Sequence, residues 1–220
     1  MATVNNDTSN AGEPTRPRGS RLAAIGIVVA IGLVITAIVT AVAHVSAERI
    51  RLNEQAWLRQ HLDALVPPET YDNDPLADSI TLTAPDLFTT PVVVYRARRA
   101  GTPVAVVVRT TAPDGYRGPI ELLVAIDRAG TLLGVQVIRH NETPGLGDAF
   151  EERKPDWLPR FRGLSLSNPP QQRWAVRKDG GDFDGFTGAT ITPRAIVKAV
   201  RRALEFQLSY GERLYESAST

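Results

Sequence analysis

The segment Lys178-Asp179-Gly180-Gly181-Asp182-Phe183-Asp184-Gly185-Phe186-Thr187-Gly188-Ala189-Thr190-Ile191-Thr192 carries more Gly, Asp and Thr than packing needs, and it runs directly into an apolar-periodic stretch. A glycine-rich turn entering a helix presents unpaired backbone N–H groups and the positive end of the helix dipole, an arrangement suited to a phosphate. Arg194, in the first helical turn, adds positive charge. The hydroxyl of Thr190 sits in the same field, so a phosphate attached to it would be held by groups already in place. A second polar stretch, His140-Asn141-Glu142-Thr143-Pro144-Gly145-Leu146-Gly147-Asp148, follows directly on a β-branched run. The same residues also suit plainer roles. Thr187 to Thr192 make a turn with a helix cap, Glu142 suits a turn-capping carboxylate, Leu146 a core position and Lys178 an exposed strand end. His140 reads as a structural hydrogen-bonding group, and Trp57, Trp157 and Trp174 as packing residues.

Several chemistries are excluded. There is no Cys, which removes disulfides, thiolate clusters, Cys-type zinc sites and thiol catalysis. Only His44, His61 and His140 are present, too scattered for a transition-metal cage. Asp182, Asp184 and Gly185 occupy three places of a calcium loop, but Gly180 stands where a ligand is needed and Ile191 where a Glu is needed. Neither a P-loop nor a dinucleotide fingerprint occurs. With 25 Lys+Arg against 24 Asp+Glu the formal net charge is +1, which gives no electrostatic case for a nucleic-acid partner.

The elements that must position these residues follow from patterning. Residues 1–21 lack the apolar content to fold and are expected to form a disordered cytoplasmic tail. Residues 22–43 carry no charge and reach the length of about 20 residues that a membrane-crossing helix needs. A cleaved signal peptide would have an apolar region of about 7–15 residues. A membrane helix is therefore expected over 22–44. Arg16, Arg18 and Arg21 crowd its N-terminal side, while Glu48, Arg49 and Arg51 mix charges on the other, so the N-terminus belongs in the cytoplasm and the rest outside. Helical spacing of Ile50, Ala56, Trp57 and Leu65 predicts a stalk helix over 45–70, ending near Pro67-Pro68. The folded domain is expected over 71–210 and a short tail over 211–220.

Within that domain β-branched runs predict strands at 79–83, 91–97, 104–111, 120–127 and 132–139, separated by turns such as Pro113-Asp114-Gly115 and Arg128-Ala129-Gly130. Residues 148–153 read as a helical turn and 174–178 as one more strand. A helix is expected over 192–208, with Thr192 as N-cap, Pro193 at the first position, and Ile196, Val197, Val200, Leu204 and Leu208 as its apolar stripe. The fold class is α+β, with a single N-terminal transmembrane helix, an antiparallel-rich sheet and flanking helices.

Asp184 with Thr187-Gly188-Ala189-Thr190 resembles the Asp-x-x-[Ser/Thr]-Gly-Ala-Thr flavinylation motif of FMN-binding domain proteins, and His140-x-Glu142-Thr143-Pro144-Gly145-Leu146-Gly147 resembles that family's second signature. The turn Gly115-Tyr116-x-Gly118-Pro119 and the run Lys178-Asp179-Gly180-Gly181-x-Phe183-Asp184 extend the likeness over most of the chain, to the G-subunit family of the Rnf (Rsx) ion-translocating electron-transport complexes. Thr187 departs mildly, since that position is often Ser.

The resemblance implies covalent FMN, joined by its phosphate to Thr190. Asp184, Thr187, Gly188 and Ala189 would form the segment read by a flavin transferase and packed around the phosphate. Glu142, Thr143, Gly145 and Leu146 would lie against the isoalloxazine ring, and Lys178 would contact flavin or phosphate. It implies an electron relay with no catalytic residue, metal or substrate site of its own, part of a translocase that couples ferredoxin and NAD redox to ion movement. Its partners would be the other complex subunits, including a second flavin-bearing membrane subunit, with membrane lipid around the anchor. The place would be a bacterial inner membrane, the domain in the periplasm. The C-type flavoprotein of the Na⁺-translocating NADH:quinone reductase shares motif and anchor and is the alternative within the flavoprotein class. A periplasmic binding or assembly module without flavin is the alternative outside it.

Overall fold

The computed structural model describes residues 18–216, with side chains from residue 25 onward. The expected tail therefore lies outside the described residues up to residue 17, as do Arg16 and residues 217–220. The first element, α1 (Arg18–Leu65), covers both the expected membrane helix and most of the expected stalk. It contributes to two compact units, one up to Glu54 and one from Gln55 onward. In the first, Ile25 to Val45 present their aliphatic side chains outward, and the helix is long and apolar enough to cross a membrane. Thr36 turns its hydroxyl back to Gly32 O at 2.8 Å, which satisfies the group inside the helix.

The second unit begins earlier than expected. Residues 58–66 are not a free stalk, because Leu62, Leu65 and Val66 are buried with Leu58 packed beside them. The helix ends at Leu65, just before Pro67-Pro68, since these prolines cannot donate to it, and a single 3-10 turn, Pro68–Thr70, follows.

A five-stranded antiparallel meander forms the centre: β1 (Ser79–Leu82), β2 (Val92–Arg99), β3 (Thr102–Ala112), β4 (Ile120–Asp127) and β5 (Leu132–Arg139), in spatial order of sequence. The register pairs Val94 with Val108, Val108 with Val124 and Val124 with Val135. Period-two alternation then sends Val94, Val106, Val108, Leu122 and Val124 to one face and Tyr95, Ala105, Val107, Leu123 and Ala125 to the other. The second face packs against the end of α1. The first is covered by α2 (Ile191–Tyr210) and by an aromatic layer from the long connection, in which Phe161 stacks on Phe183 at 4.8 Å and Trp157 meets Phe186 edge-on at 4.9 Å.

Four local expectations need correction. Residues 174–178 are not a strand. Val176 bridges Phe183 at one point between two 3-10 turns, because Gly180 adopts a positive φ and Gly181 folds back so tightly that a Cβ there would lie 1.8 Å from Ala175 O. The second helix starts at Ile191 with Thr190, not Thr192, at its N-cap. Leu208 leaves the apolar stripe and is exposed, since Phe206 and Gln207 take the inner side of the last turn. Residues 211–216 are not a tail: Leu214 and Tyr215 are buried, and the backbone carbonyls of Tyr215 and Glu216 accept from Arg98 (2.7 Å) and Arg96, two buried guanidinium groups that share the Asp78 carboxylate. Buried charge of this kind demands partners, and the C-terminal segment supplies them.

This last contact is testable. Leu214→Ala in the full chain should cost about 2–5 kcal/mol of packing, lowering the thermal midpoint by about 4–20 °C at roughly 2–4 °C per kcal/mol. Near-ultraviolet circular dichroism, which follows the buried Trp157 and Trp174, reads it. An unchanged midpoint would show that the segment does not complete the core.

Candidate FMN site

The meander fixes the location. Ala112 pairs with Ile120 and Glu121 with Arg139, so the β3–β4 turn and the loop leaving β5 emerge at the same end of the sheet. The first turn of α2 meets them there, through Glu142.

The loop after β5 closes as a turn, with Leu146 N and Gly147 N donating to Thr143 O at 3.1 and 2.9 Å. At its base His140 Nδ1 accepts from Glu142 N at 3.2 Å, while Nε2 meets Glu151 at 2.8 Å, the structural part expected of it. The Glu142 side chain turns inward and is 4% exposed. One oxygen accepts from the Thr192 hydroxyl and the other from Arg117 N at 3.1 Å. Close packing follows: a Cβ on Gly147 would stand 2.8 Å from Glu142 Cβ, and one on Gly115 would stand 2.2 Å from Gly118 O. Lys198 of α2 adds a 2.6 Å ion pair to Asp114 in the β3–β4 turn and holds that carboxyl below the ordinary range by hydrogen bonding.

The loop before α2 is held from its far side. Asp184 accepts from Arg160 and Arg177, Trp157 Nε1 donates to Asp184 O at 2.8 Å, and Lys154 donates to Gly185 O at 2.8 Å. Phe186 is buried, and Ala189 N returns to Phe186 O at 3.2 Å with Gly188 at φ +83°. That conformation suits glycine at the third position of the turn. Thr190 then enters α2 as N-cap, and its hydroxyl makes no capping hydrogen bond. The N–H groups of Ile191 and Thr192 have no acceptor within the helix.

Between these loops lies an open cavity of about 260 Å³. It is lined by the polar residues Thr143, Thr190 and Thr192, the last with its hydroxyl engaged by Glu142, by the apolar Tyr116, Leu146 and Ile191, and by Glu142, Gly147, Gly188 and Ala189. Of the residues expected from sequence, the structure brings together Glu142, Thr143, Leu146, Gly188, Ala189 and Thr190. Thr187 and Gly145 are exposed on the flanking turns and do not line the cavity. Asp184 faces a different hollow, shared with Trp157, Arg160 and Arg177. Lys178 is exposed on the 3-10 turn Arg177–Asp179, and Arg194, expected to face an anion, is engaged bidentately by Asp179 at 2.6 and 2.7 Å. Tyr116, Gly147, Ile191 and Thr192 also line the cavity; they lie within the quoted stretches, but no cofactor contact is expected of them from sequence. The Gly115/Gly118 pair around Tyr116 is the one signal that could have found it.

The cavity also passes a test of fit to a flat ring with a phosphate arm. Residues 190–192 bring the start of α2, whose first N–H groups lack a partner within the helix, to the cavity; Tyr116, Leu146 and Ile191 give it apolar surface; and at Gly188 a Cβ would press to 3.2 Å from Leu146 Cδ2, where glycine leaves room. Fold and site define an FMN-binding domain, and residues 115–205 match the family model of that name. Over longer stretches the chain is 47% identical to the G subunit of the ion-translocating oxidoreductase complex of Cronobacter sakazakii (84% of this chain, 92% of that one). It is 46% identical to that of Shewanella loihica (79% and 83%) and 44% identical to that of Vibrio cholerae serotype O1 (86% and 92%). A solved structure, Shewanella oneidensis NqrC, aligns with TM-score 0.46 and 26% identity, covering 65% of this chain and 74% of that one. The chain belongs to the family of ion-translocating oxidoreductase complex G subunits.

Two expected outcomes test the geometry. Thr192→Val keeps the shape but strips one donor from the buried Glu142, and should cost about 1–3 kcal/mol in thermal unfolding. A midpoint equal to wild type would mean that the bond is dispensable. The Asp179 carboxyl lies below its ordinary range, chiefly through the hydrogen bond from Arg194. A depressed folded pKa stabilises above the unfolded value, and that contribution is lost as pH falls through the folded one. Asp179→Asn should therefore lower the midpoint near neutral pH, and the difference from wild type should shrink as pH falls below the ordinary aspartate value of about 3.9, disappearing only below the depressed folded value. A difference independent of pH would contradict the ion pair.

Proposed function

We propose that the chain is a membrane-anchored flavoprotein subunit that carries FMN as a phosphoester on Thr190 and relays electrons within an ion-translocating oxidoreductase complex. The observation that carries this reading is Thr190 itself, which lines the cavity at the start of α2 and whose hydroxyl is not used to cap the helix. Ile191 and Thr192 N–H groups and the helix dipole would hold the phosphate. Thr143 would offer a further hydroxyl, Leu146 and Ile191 would exclude water from the ring, and Gly188 would leave space for the arm. When bound, the isoalloxazine supplies the redox chemistry. Asp184 and Thr187 serve by shaping the loop that a flavin transferase must accept.

The anchor is the apolar part of α1, and the arginines before it favour a cytoplasmic N-terminus with the flavin domain on the periplasmic side of a bacterial inner membrane. The partners are the complex's other subunits, a second flavin-bearing membrane subunit among them. Tethering suits a relay, because a covalent cofactor is never lost between turnovers.

Co-expression of the full chain with a flavin transferase tests the reading. Wild type should gain the mass of one FMN less one water and fluoresce in a denaturing gel. Thr190→Ala should show neither while keeping its near-ultraviolet circular dichroism. A folded wild type without the adduct, beside a control protein that the same transferase modifies, would overturn the proposal.

A further inference from the structure

Residues 154–160 line no part of the cavity around Thr190, yet three of their side chains hold the loop that carries it. Lys154 donates to Gly185 O at 2.8 Å, Trp157 Nε1 to Asp184 O at 2.8 Å, and Arg160 pairs with the Asp184 carboxylate. The three donors stand three residues apart. Their segment coils with i to i+3 hydrogen bonds, Trp157 N to Lys154 O at 2.9 Å and Phe161 N to Leu158 O at 3.1 Å, and it ends in the 3-10 turn Pro159–Phe161. At three residues per turn, positions i, i+3 and i+6 fall on one side, so one short segment offers three donors in a row.

The donors have a firm base. Trp157 is 3% exposed, with the rings of Phe186 and Phe161 edge-on at 4.9 and 5.2 Å, and Phe161 is fully buried. The loop they hold has little order of its own: between Asp184 and Thr190 its described backbone closes one internal hydrogen bond, Ala189 N to Phe186 O. Fixing such a loop costs backbone entropy at each residue, which contacts from outside must offset. Lys154 makes a second such contact, its ammonium lying 5.9 Å from the centre of the Phe186 ring.

Resting on the proposal that a flavin transferase joins FMN to Thr190, we infer that Lys154, Trp157 and Arg160 are positioning residues for that modification, holding the loop from behind in the form that offers Thr190. What the transferase requires of its acceptor then extends beyond residues 184–190 to a segment whose Lys154 lies 31 positions before Gly185. A loop that takes the offered form only part of the time binds its enzyme more weakly by that fraction, so loss of the hold is read in KM rather than in kcat.

The test uses the unmodified full chain in detergent, a purified flavin transferase and FAD as donor. Thr190 Oγ1 bonds to the flavin-side phosphorus, the diphosphate bridge breaks, and AMP leaves with the hydroxyl proton; intact mass follows the product. Lys154→Met keeps the stem but removes the donor, and should raise the KM for the chain about tenfold with kcat little changed, while Lys154→Arg should restore it. Arg160→Gln should raise it about threefold. Amide exchange at Ala189, whose N–H closes the turn, should quicken severalfold in Lys154→Met, a readout that needs no transferase. Arg128→Gln, which removes an exposed ion pair to Glu212, should change neither. If Lys154→Met lost its near-ultraviolet circular dichroism, Arg160→Gln, on a side chain 63% exposed, would carry the test alone. KM equal to wild type or lower in the folded variants would overturn the inference, since the transferase would then accept the loop in any form. A wild type left unmodified by a transferase active on a control protein would instead overturn the covalent-flavin reading, and this inference with it.

Discussion

The buried carboxylate of Glu142 sets the shape of everything around Thr190. Its two oxygens take donors from residues 25 and 50 positions away in sequence, Arg117 N and the Thr192 hydroxyl. Leaving either oxygen unpartnered in that setting costs a few kcal/mol, more than a surface ion pair returns. Three separate segments are therefore drawn to one point: the β3–β4 turn, the β5 loop and the first turn of α2. Gly115 and Gly147 follow from the same constraint, because a Cβ at either position would strike the carboxylate or the backbone beside it. The cavity is the space these segments leave when they close on Glu142.

The sheet makes that meeting possible. Two successive antiparallel crossings, β4 and then β5, return the chain to the end at which β3 stopped, so the β3–β4 turn and the loop after β5 leave the sheet side by side. One sheet face then seats α2, whose Ile196, Val200 and Leu204 are fully buried, and this burial fixes where the helix begins. The stability of the helix and the position of its N-terminus are thus one problem. Thr190 sits where it does because the apolar stripe ten residues further on fits the valine-rich face of the sheet.

The parts of the fold that were legible in the sequence are those governed by a period. Five β-branched runs alternate in and out, and β4 and β5 fall on the residues that the pattern marks. The apolar run from residue 22 and the stripe of α2 are read in the same way. What escaped has no period. Residues 211–216 look like a polar tail because their burial depends on Arg96 and Arg98, more than a hundred positions earlier. Trp174 to Lys178 have strand-like residues, yet Gly180 and Gly181 reverse the chain before a ladder can form. Thr192 has the side chain of a helix cap, and only the approach of Glu142 turns it inward. Thr190 and the loop around Glu142 were legible because glycine, threonine and charge are too dense there for packing, whereas Tyr116 gave no such signal.

Asp184 shows why the residues of one motif need not share one task. It lies six positions before Thr190, and its carboxylate faces away from the cavity, toward Arg160 and Arg177. Its backbone carbonyl accepts from Trp157 and that of Gly185 from Lys154, so side chain and main chain are both held on the far side of the loop. With Phe186 buried next, the loop is pinned at three consecutive residues before it turns at Gly188. Only Gly188, Ala189 and Thr190 are left to face the cavity. Holding the loop from behind allows its front to stay open: no protein side chain has to fill the space beside Thr190 to keep the turn in place. A group entering that space would leave in place the contacts that position Thr190.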